Sequence, residues 1–189
     1  MQETNKTKIS TKKMVTIAML VALSYTLAVT IRFPLLPQVG FIEYSPSDIP
    51  IIIGGMIFGP IWAFIMSLAV SFLEGITIGH TGLIGVLMNI CSTSAFAVTL
   101  AIIYKKSKTT KGAIIGFVVG SISLVIVMII LNILLTPIYT GVPREKVIGM
   151  LLPAIIPVNS IKAVINSVVS FAVFQGIFKY IKAKKYDQE

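Results

Sequence analysis

The sequence predicts an all-α integral membrane protein with six transmembrane helices and both termini in the cytoplasm. Of its 189 residues, 56% are hydrophobic and only 12% are charged, against about 25% charged in soluble domains. The lysines fall into three groups, each at the end of an apolar run, as the positive-inside rule expects of cytoplasmic segments. These groups are Lys6, Lys8, Lys12 and Lys13; Lys105, Lys106, Lys108 and Lys111; and Lys179, Lys182, Lys184 and Lys185.

Six apolar runs are candidates for the membrane spans. They are Met14–Ile31, Ser47–Phe58, Pro60–Ile78, Leu83–Tyr104, Gly112–Thr136 and Pro157–Ile181. The second run is shorter than the roughly 20 residues of a typical span, so length alone would merge it with the third or discard it. Charge decides, because an even number of spans must separate each lysine group from the next. Four spans followed by two satisfy this condition.

This topology makes residues 1–189 one domain with a basic cytoplasmic tail at residues 1–13. Three connections then lie outside: residues 32–46, residues 79–82 and residues 137–156. The first and third are unusually apolar for exposed loops and contain several prolines. Such a loop either rests on the membrane surface or folds over a cavity, and the sequence leaves both open. Residues 32–46 are the predicted lid.

Polar residues of three spans converge in the outer half of the membrane. At about 1.5 Å per residue, Lys162 lies roughly 8 Å and Asn166 roughly 14 Å inside the sixth span, while Asn159 lies at its outer entry. Together with Ser170, these three side chains share a sector of roughly 80°. Asn89 and Asn132 reach a similar depth from the fourth and fifth spans. Each residue alone is explained by helix bridging or by a lysine reaching the surface, but their convergence favours a binding site.

The residue types at this depth indicate the class of ligand. Asparagine offers a donor and an acceptor together, and an apolar lining suits a flat ring system. A cation would fit poorly beside Lys162, whereas Glu43 is expected to pair with Lys162 or to accept a hydrogen bond from the ligand. The predicted ligand is a neutral or partly anionic, part-apolar small molecule. The lining is expected to include Phe41, Leu83, Gly85, Met88 and Met128.

The sequence lacks the residues that several kinds of binding and catalysis require. There is no P-loop motif, and His80 is the only histidine, so neither a histidine-based metal site nor a catalytic triad is available. Asp48 and Asp187 lie far apart in the chain, which excludes an intramembrane aspartate pair. Glu74, near the outer end of the third span, is either an interfacial acid, the favoured reading, or a carrier of a coupling proton. We predict no catalytic residues, no metal and no nucleic acid.

One face of the first span carries small residues four positions apart. Ala18 and Ala22 form a small-x-x-x-small pair, which allows another helix to approach closely. Ordinary packing inside the bundle would explain the pair equally well. It is nevertheless the best candidate in the sequence for docking a partner that supplies energy.

Four stretches, in this order, resemble a known family over nearly the whole chain. They are "SPSDIPIIIGGMIFGPIWAF", "GLIGVLMNI" around Asn89, "LNILLTPIY" around Asn132, and "PVNSIKAVIN". The chain resembles the substrate-binding (S) subunits of energy-coupling factor (ECF) vitamin transporters, most closely the riboflavin-specific members. It departs from them at Glu74-Gly75, where a basic-amide pair is expected.

The resemblance implies a function as well as a fold. It implies a multi-pass protein of the bacterial cell membrane that binds riboflavin from outside with high affinity, without catalysis or a catalytic cofactor. It also implies docking through Ala18 and Ala22 on a transmembrane coupling protein that carries two ATP-binding cassette ATPases. Two alternatives remain open: an S subunit for another vitamin such as biotin, whose carboxylate would suit Lys162, and a stand-alone proton-coupled transporter that uses Glu74.

Overall fold

The computed structural model describes residues 10–35, 43–79 and 82–186, and these are nearly all helical. The helices are α1 Thr11–Thr30, α2 Asp48–Phe58, α3 Pro60–Thr77, α4 Gly82–Ser107, α5 Thr110–Thr140, α6 Arg144–Gly149 and α7 Ile156–Tyr186. A π-helical turn, Leu151–Ile155, leads into α7. Between α1 and α2, the two-residue strands β1 (Phe33–Pro34) and β2 (Glu43–Tyr44) pair in antiparallel fashion.

Five helical segments of the described chain are long and apolar enough to cross a membrane. They are α1, α3, α4, α5 and the stretch Leu151–Ile177 that joins the π-helical turn to α7. Helix α2 has 11 residues and is about 16 Å long, roughly half the thickness of the hydrocarbon core. The protein is therefore a helical, multi-pass membrane protein.

The short helix α2 lies at the centre of the bundle. It packs against α1, α3, α4 and α7, and its residues from Asp48 to Met56 are all buried. Ile51 and Ile52, at most 1% exposed, share a core cluster with Met66 of α3 and Phe96 of α4. A helix that is apolar on every side is stable only when it is surrounded. This explains why a segment too short to span the bilayer is still a helix.

A tight turn at Gly59 separates the second apolar run from the third. Gly59 has φ +98°, a left-handed conformation that glycine adopts without strain. Pro60 follows as the first residue of α3, where its missing N–H costs no helical hydrogen bond. Helices α2 and α3 are consequently two elements.

The third outer connection differs from the prediction. Instead of a loop over residues 137–156, α5 continues to Thr140, and α6 and the π-helical turn fill most of the remainder. Pro137 lies in the last turn of α5, so its missing N–H removes a single hydrogen bond and the helix runs on. The helix ends instead at Gly141, whose φ is +71°.

Large apolar side chains cover the outside of the bundle. Met19 of α1, Ile61 and Ile76 of α3, and Ile138 of α5 are each more than 60% exposed. Soluble monomers rarely show apolar patches of this extent. These surfaces are the ones expected to contact lipid.

Candidate ligand-binding site

A cavity of about 410 Å³ opens between α3, α4, α5, α7 and the β1–β2 ribbon. Its size lies within the roughly 300–1,000 Å³ range of small-molecule sites. Its polar side chains include Glu43, Glu74, Asn89, Asn132, Asn159 and Lys162. Its apolar surface includes Met88, Leu124 and Met128, with Tyr139 beside them.

Most of the residues expected at the site surround this one cavity. Asn89, Asn132, Asn159, Lys162, Glu43, Gly85, Met88 and Met128 all line it. Leu83 does not, because its side chain is 82% exposed on α4. Asn166 is fully buried next to the cavity without lining it. Phe41 lies outside the described residues.

Asp48 holds the lysine of this site in place. Lys162 Nζ lies 3.3 Å from Asp48 Oδ2, and Asn166 Nδ2 donates to the same oxygen at 3.0 Å. Thr93 Oγ1 donates to Asp48 Oδ1 at 2.7 Å. The Asp48 side chain is only 4% exposed, so its charge is compensated by direct contacts and not by water. One carboxylate thereby joins α2, α4 and α7.

Tyr44 extends this network into the β1–β2 ribbon. Its hydroxyl donates to Asn166 Oδ1 at 3.1 Å. Burial, and secondarily the charge of Asp48, raises the pKa of the Tyr44 phenol. The phenol therefore stays protonated and remains a donor at neutral pH.

The expected pairing of Glu43 with Lys162 is wrong. Glu43 forms an ion pair with Arg32, because Arg32 directly precedes β1 and Glu43 opens β2, and the two strands run side by side. The partner of Lys162 is Asp48, which was not expected from the sequence. The sequence did contain a signal for this pairing, because a lysine within a span requires a partner and Asp48 is an acid at the start of a highly apolar helix.

Two asparagines of the site are oriented by their own helices. Asn132 Nδ2 donates to Met128 O, and Asn159 Nδ2 donates to Ile155 O, both at 2.8 Å. Asn132 Oδ1 accepts a hydrogen bond from Thr136 at 2.9 Å. Each amide nitrogen carries two N–H groups, so each keeps a donor for a ligand.

Glu74 is a buried part of the cavity wall, not an interfacial acid as favoured from the sequence. The residue is 7% exposed and accepts a hydrogen bond from Asn89 Nδ2 at Oε2, at 3.2 Å. Its Oε1 is buried and has no hydrogen-bond partner within the described chain. At the neighbouring Gly75, an added Cβ would lie 2.0 Å from Val86 Cγ2. Glycine thus lets α3 approach α4 closely beside this carboxylate.

The alanine pair of α1 faces outward. Ala18 and Ala22 are both exposed, on a face that also carries Met19 and Leu23, 67% and 51% exposed. Within the described chain, the pair is therefore not used for packing inside the bundle.

These features describe a helical membrane protein with a cavity of small-molecule size whose lining is part polar and part apolar. The family model of the substrate-specific component of ECF transporters matches residues 12–174, and the chain belongs to this family. It is accordingly a transporter component and not an enzyme, as predicted.

Several relatives of this chain are known transporters, and they align with almost its whole length. The riboflavin transporter RibU of Streptococcus thermophilus is 32% identical, over 93% of this chain and 86% of the relative. RibU of Staphylococcus aureus is 28% identical over 90% of this chain and 93% of the relative. The riboflavin transporter FmnP of Bacillus subtilis is 27% identical over 92% of this chain and 96% of the relative. A solved S component of a bacterial ECF transporter superimposes with a TM-score of 0.79 at 28% identity, covering 90% of this chain and 98% of that one.

Proposed function

We propose that this chain is the high-affinity riboflavin-binding subunit of an ATP-driven ECF uptake transporter. The observation that carries the proposal is the cavity, which combines amide, lysine and carboxylate groups with an apolar wall in a volume of about 410 Å³. Relatives described as riboflavin transporters support this choice of ligand.

The cavity matches the two chemically different parts of riboflavin. Met88, Leu124 and Met128 offer apolar surface for the flat flavin ring. Asn132 and Asn159 offer amide donors for the ring carbonyls or the ribityl hydroxyls. The ligand is captured and released without covalent chemistry.

Riboflavin titration of the protein purified in detergent tests this function. The protein should be yellow with flavin absorbance bands, or should quench flavin fluorescence stoichiometrically once the flavin has been removed. Asn132→Ala and Asn159→Ala should each weaken binding by about 1–3 kcal/mol, because polar groups of the ligand lose their partners. Leu134→Ala, on the same helix as Asn132 but 48% exposed, is the control that should bind normally. A colourless protein that leaves flavin fluorescence unchanged would contradict the proposal.

The proposed topology has six spans, with both termini in the cytoplasm and α2 as a short central span. In this arrangement the cavity opens outward and residues 32–46 cover its mouth as a lid. The position of Glu43 in both the β1–β2 ribbon and the cavity wall supports that role. Single cysteines placed at residues 10 and 110 of a variant without Cys91 should react with a membrane-impermeant thiol reagent only after the cells are opened. Labelling of either cysteine in intact cells would contradict this topology.

For transport, the exposed Ala18–Ala22 face of α1 is proposed to dock on a transmembrane coupling protein that carries two ATP-binding cassette ATPases. Leucine at both positions should abolish ATP-driven riboflavin uptake in proteoliposomes containing the complete transporter, while leaving riboflavin binding intact. Val29→Leu, a change at another exposed position of α1, is the matched control. Uptake by the chain alone, driven by a pH gradient, would instead favour a proton-coupled transporter.

A further inference from the structure

The carboxylates at the cavity outnumber the cationic side chains. Within the described chain, Arg32 and Lys162 are the cations that line the cavity. Arg32 pairs with Glu43, and Lys162 pairs with Asp48 at 3.3 Å. Glu74 lines the same cavity and forms no ion pair with the described residues. One negative charge is therefore left without a cation in direct contact.

The Glu74 carboxylate is held on one oxygen and open on the other. Its Oε2 accepts a hydrogen bond from Asn89 Nδ2 at 3.2 Å, whereas its Oε1 is buried and makes no direct hydrogen bond in the described chain. The residue is only 7% exposed. Buried charges in proteins are normally paired with an opposite charge or coordinate a metal ion. Because the protein supplies no such pair here, a metal ion is the remaining means of compensation.

Neutral oxygen atoms from three helices surround this carboxylate. Ser71 lies one turn before Glu74 on the same face of α3, and Ser92 lies one turn after Asn89 on α4. Ser47, which directly precedes α2, has its side chain close to Glu74. All of these residues line the cavity, and the three serines are at most 5% exposed. The oxygens are therefore gathered in one buried part of the cavity wall.

These oxygens remain able to coordinate a cation. Ser92 Oγ donates its hydrogen to Asn89 O at 3.2 Å, which leaves the lone pairs of the hydroxyl oxygen unused. Asn89 uses its amide nitrogen for Glu74, so its Oδ1 is still an acceptor. Hard cations take oxygen ligands of this kind, both carboxylate and neutral.

We propose that the oxygens around Glu74 bind one monovalent alkali cation, with sodium as the representative ion. The ligands are Glu74 Oε1, Asn89 Oδ1 and the hydroxyl oxygens of Ser47, Ser71 and Ser92. Glu74 supplies the single negative charge that balances the ion, and the neutral oxygens replace its water shell. The site does not depend on which organic molecule occupies the rest of the cavity.

The composition of the site favours a monovalent ion over a divalent one. Only one unpaired carboxylate is present, whereas affinity for ions such as calcium rises with the number of charged ligands. The described residues contain no group of three or more His, Cys, Asp or Glu side chains that could hold a metal ion. A divalent or transition metal would therefore lack the charged ligands that it requires.

Equilibrium binding of radioactive sodium to the protein purified in detergent tests this site. The assay is run at neutral pH, with choline chloride replacing sodium chloride so that ionic strength stays constant. Binding should saturate at one ion per chain. Glu74→Gln keeps the size of the side chain but removes its charge, and should lower sodium affinity at least about tenfold, or about 1.4 kcal/mol. Glu145→Gln removes the same charge from an exposed position on α6 and should bind sodium normally.

A second pair of variants tests the neutral ligands and does not require Glu74→Gln to fold. Ser71→Ala deletes one proposed ligand and should lower sodium affinity about threefold, because the ion loses one of its oxygen contacts. Ser94→Ala deletes a buried hydroxyl of α4 that does not line the cavity. This control should bind sodium as the unsubstituted protein does.

The outcomes distinguish this inference from the proposed function. Absence of saturable sodium binding would overturn the cation site and would leave a proton as the means of neutralising Glu74. Unchanged affinity in both Glu74→Gln and Ser71→Ala, or equal losses in their controls, would overturn the assigned ligands. Riboflavin binding without sodium binding would overturn the cation site alone. Sodium binding by a protein that ignores riboflavin would overturn the proposed function and leave the cation site standing.

Discussion

Two buried carboxylates of this protein, Asp48 and Glu74, have opposite hydrogen-bonding situations. The two oxygens of Asp48 pair with the Lys162 ammonium and accept hydrogen bonds from Asn166 and Thr93. Glu74 accepts a hydrogen bond from Asn89 on Oε2 and lies close to the Ser47 side chain, while its Oε1 makes no direct hydrogen bond in the described chain. Asp48 is thus saturated by the protein, whereas Glu74 keeps an acceptor at the cavity. Asp48 therefore belongs to the framework of the site, whereas Glu74 belongs to the surface that faces a ligand.

The largest effect should come from removing the saturated carboxylate. Asp48→Ala leaves the buried Lys162 ammonium without its partner, and breaking such a pair typically costs about 3–5 kcal/mol. We expect a loss of this size in the free energy of unfolding, measured in detergent by denaturant titration. The control is the double variant Asp48→Leu with Lys162→Met, because removing both partners of a buried pair is often close to neutral. A double variant as unstable as the single one would show that the ion pair is not the cause.

A smaller loss is expected from removing one donor to Asp48. Thr93→Val keeps the shape of the side chain but deletes the 2.7 Å hydrogen bond to Asp48 Oδ1. The expected loss in unfolding free energy is about 1–2 kcal/mol. In a variant that already carries Asp48→Leu and Lys162→Met, Thr93→Val should cost much less, because the carboxylate is gone. Equal costs in both backgrounds would contradict the assigned partnership.

Tyr44→Phe tests the outer end of the same network. Losing the hydroxyl that donates to Asn166 should cost about 0.5–1.5 kcal/mol of stability at neutral pH. Because the pKa of Tyr44 is raised above its unfolded value of 10.0, its contribution is complete below pH 10 and is lost as the pH rises through the folded pKa. The stability difference between the unsubstituted protein and the variant should therefore shrink in alkali. A difference that is constant with pH would exclude this role of the phenol.

The smallest effect on stability is expected at the unsaturated carboxylate. Glu74→Gln preserves an acceptor for Asn89 and relieves the burial of an acid, so the unfolding free energy without ligand should change by less than about 1 kcal/mol. Asp48→Asn, the matched amide replacement, should cost clearly more in the same assay. Similar losses at the two positions would remove the distinction between a framework acid and a ligand-facing acid.

How far the sequence leads can be judged at particular residues. The apolar runs, the lysine groups and the glycine-proline turn after α2 predicted a helical membrane protein, because hydropathy and turn geometry act locally along the chain. Rise per residue brought Asn89, Asn132, Asn159 and Lys162 to one depth, and the structure places all four around one cavity. The helical course of residues 137–156 was missed, because a proline in the last turn of a helix looks like a loop signal in sequence.

What the tertiary structure alone decided is which charges meet. In sequence, Glu43 was the expected partner of Lys162, Asp48 was not considered for that role, and Glu74 looked like an acid at the membrane surface. Antiparallel pairing of β1 with β2 commits Glu43 to Arg32, and the central position of α2 brings Asp48 to α7. Close approach of α3 and α4 at Gly75 buries Glu74 beside Asn89. Sequence periodicity fixes the depth and face of a side chain on its own helix, whereas ion pairs depend on the distances between helices, which only the packed bundle determines.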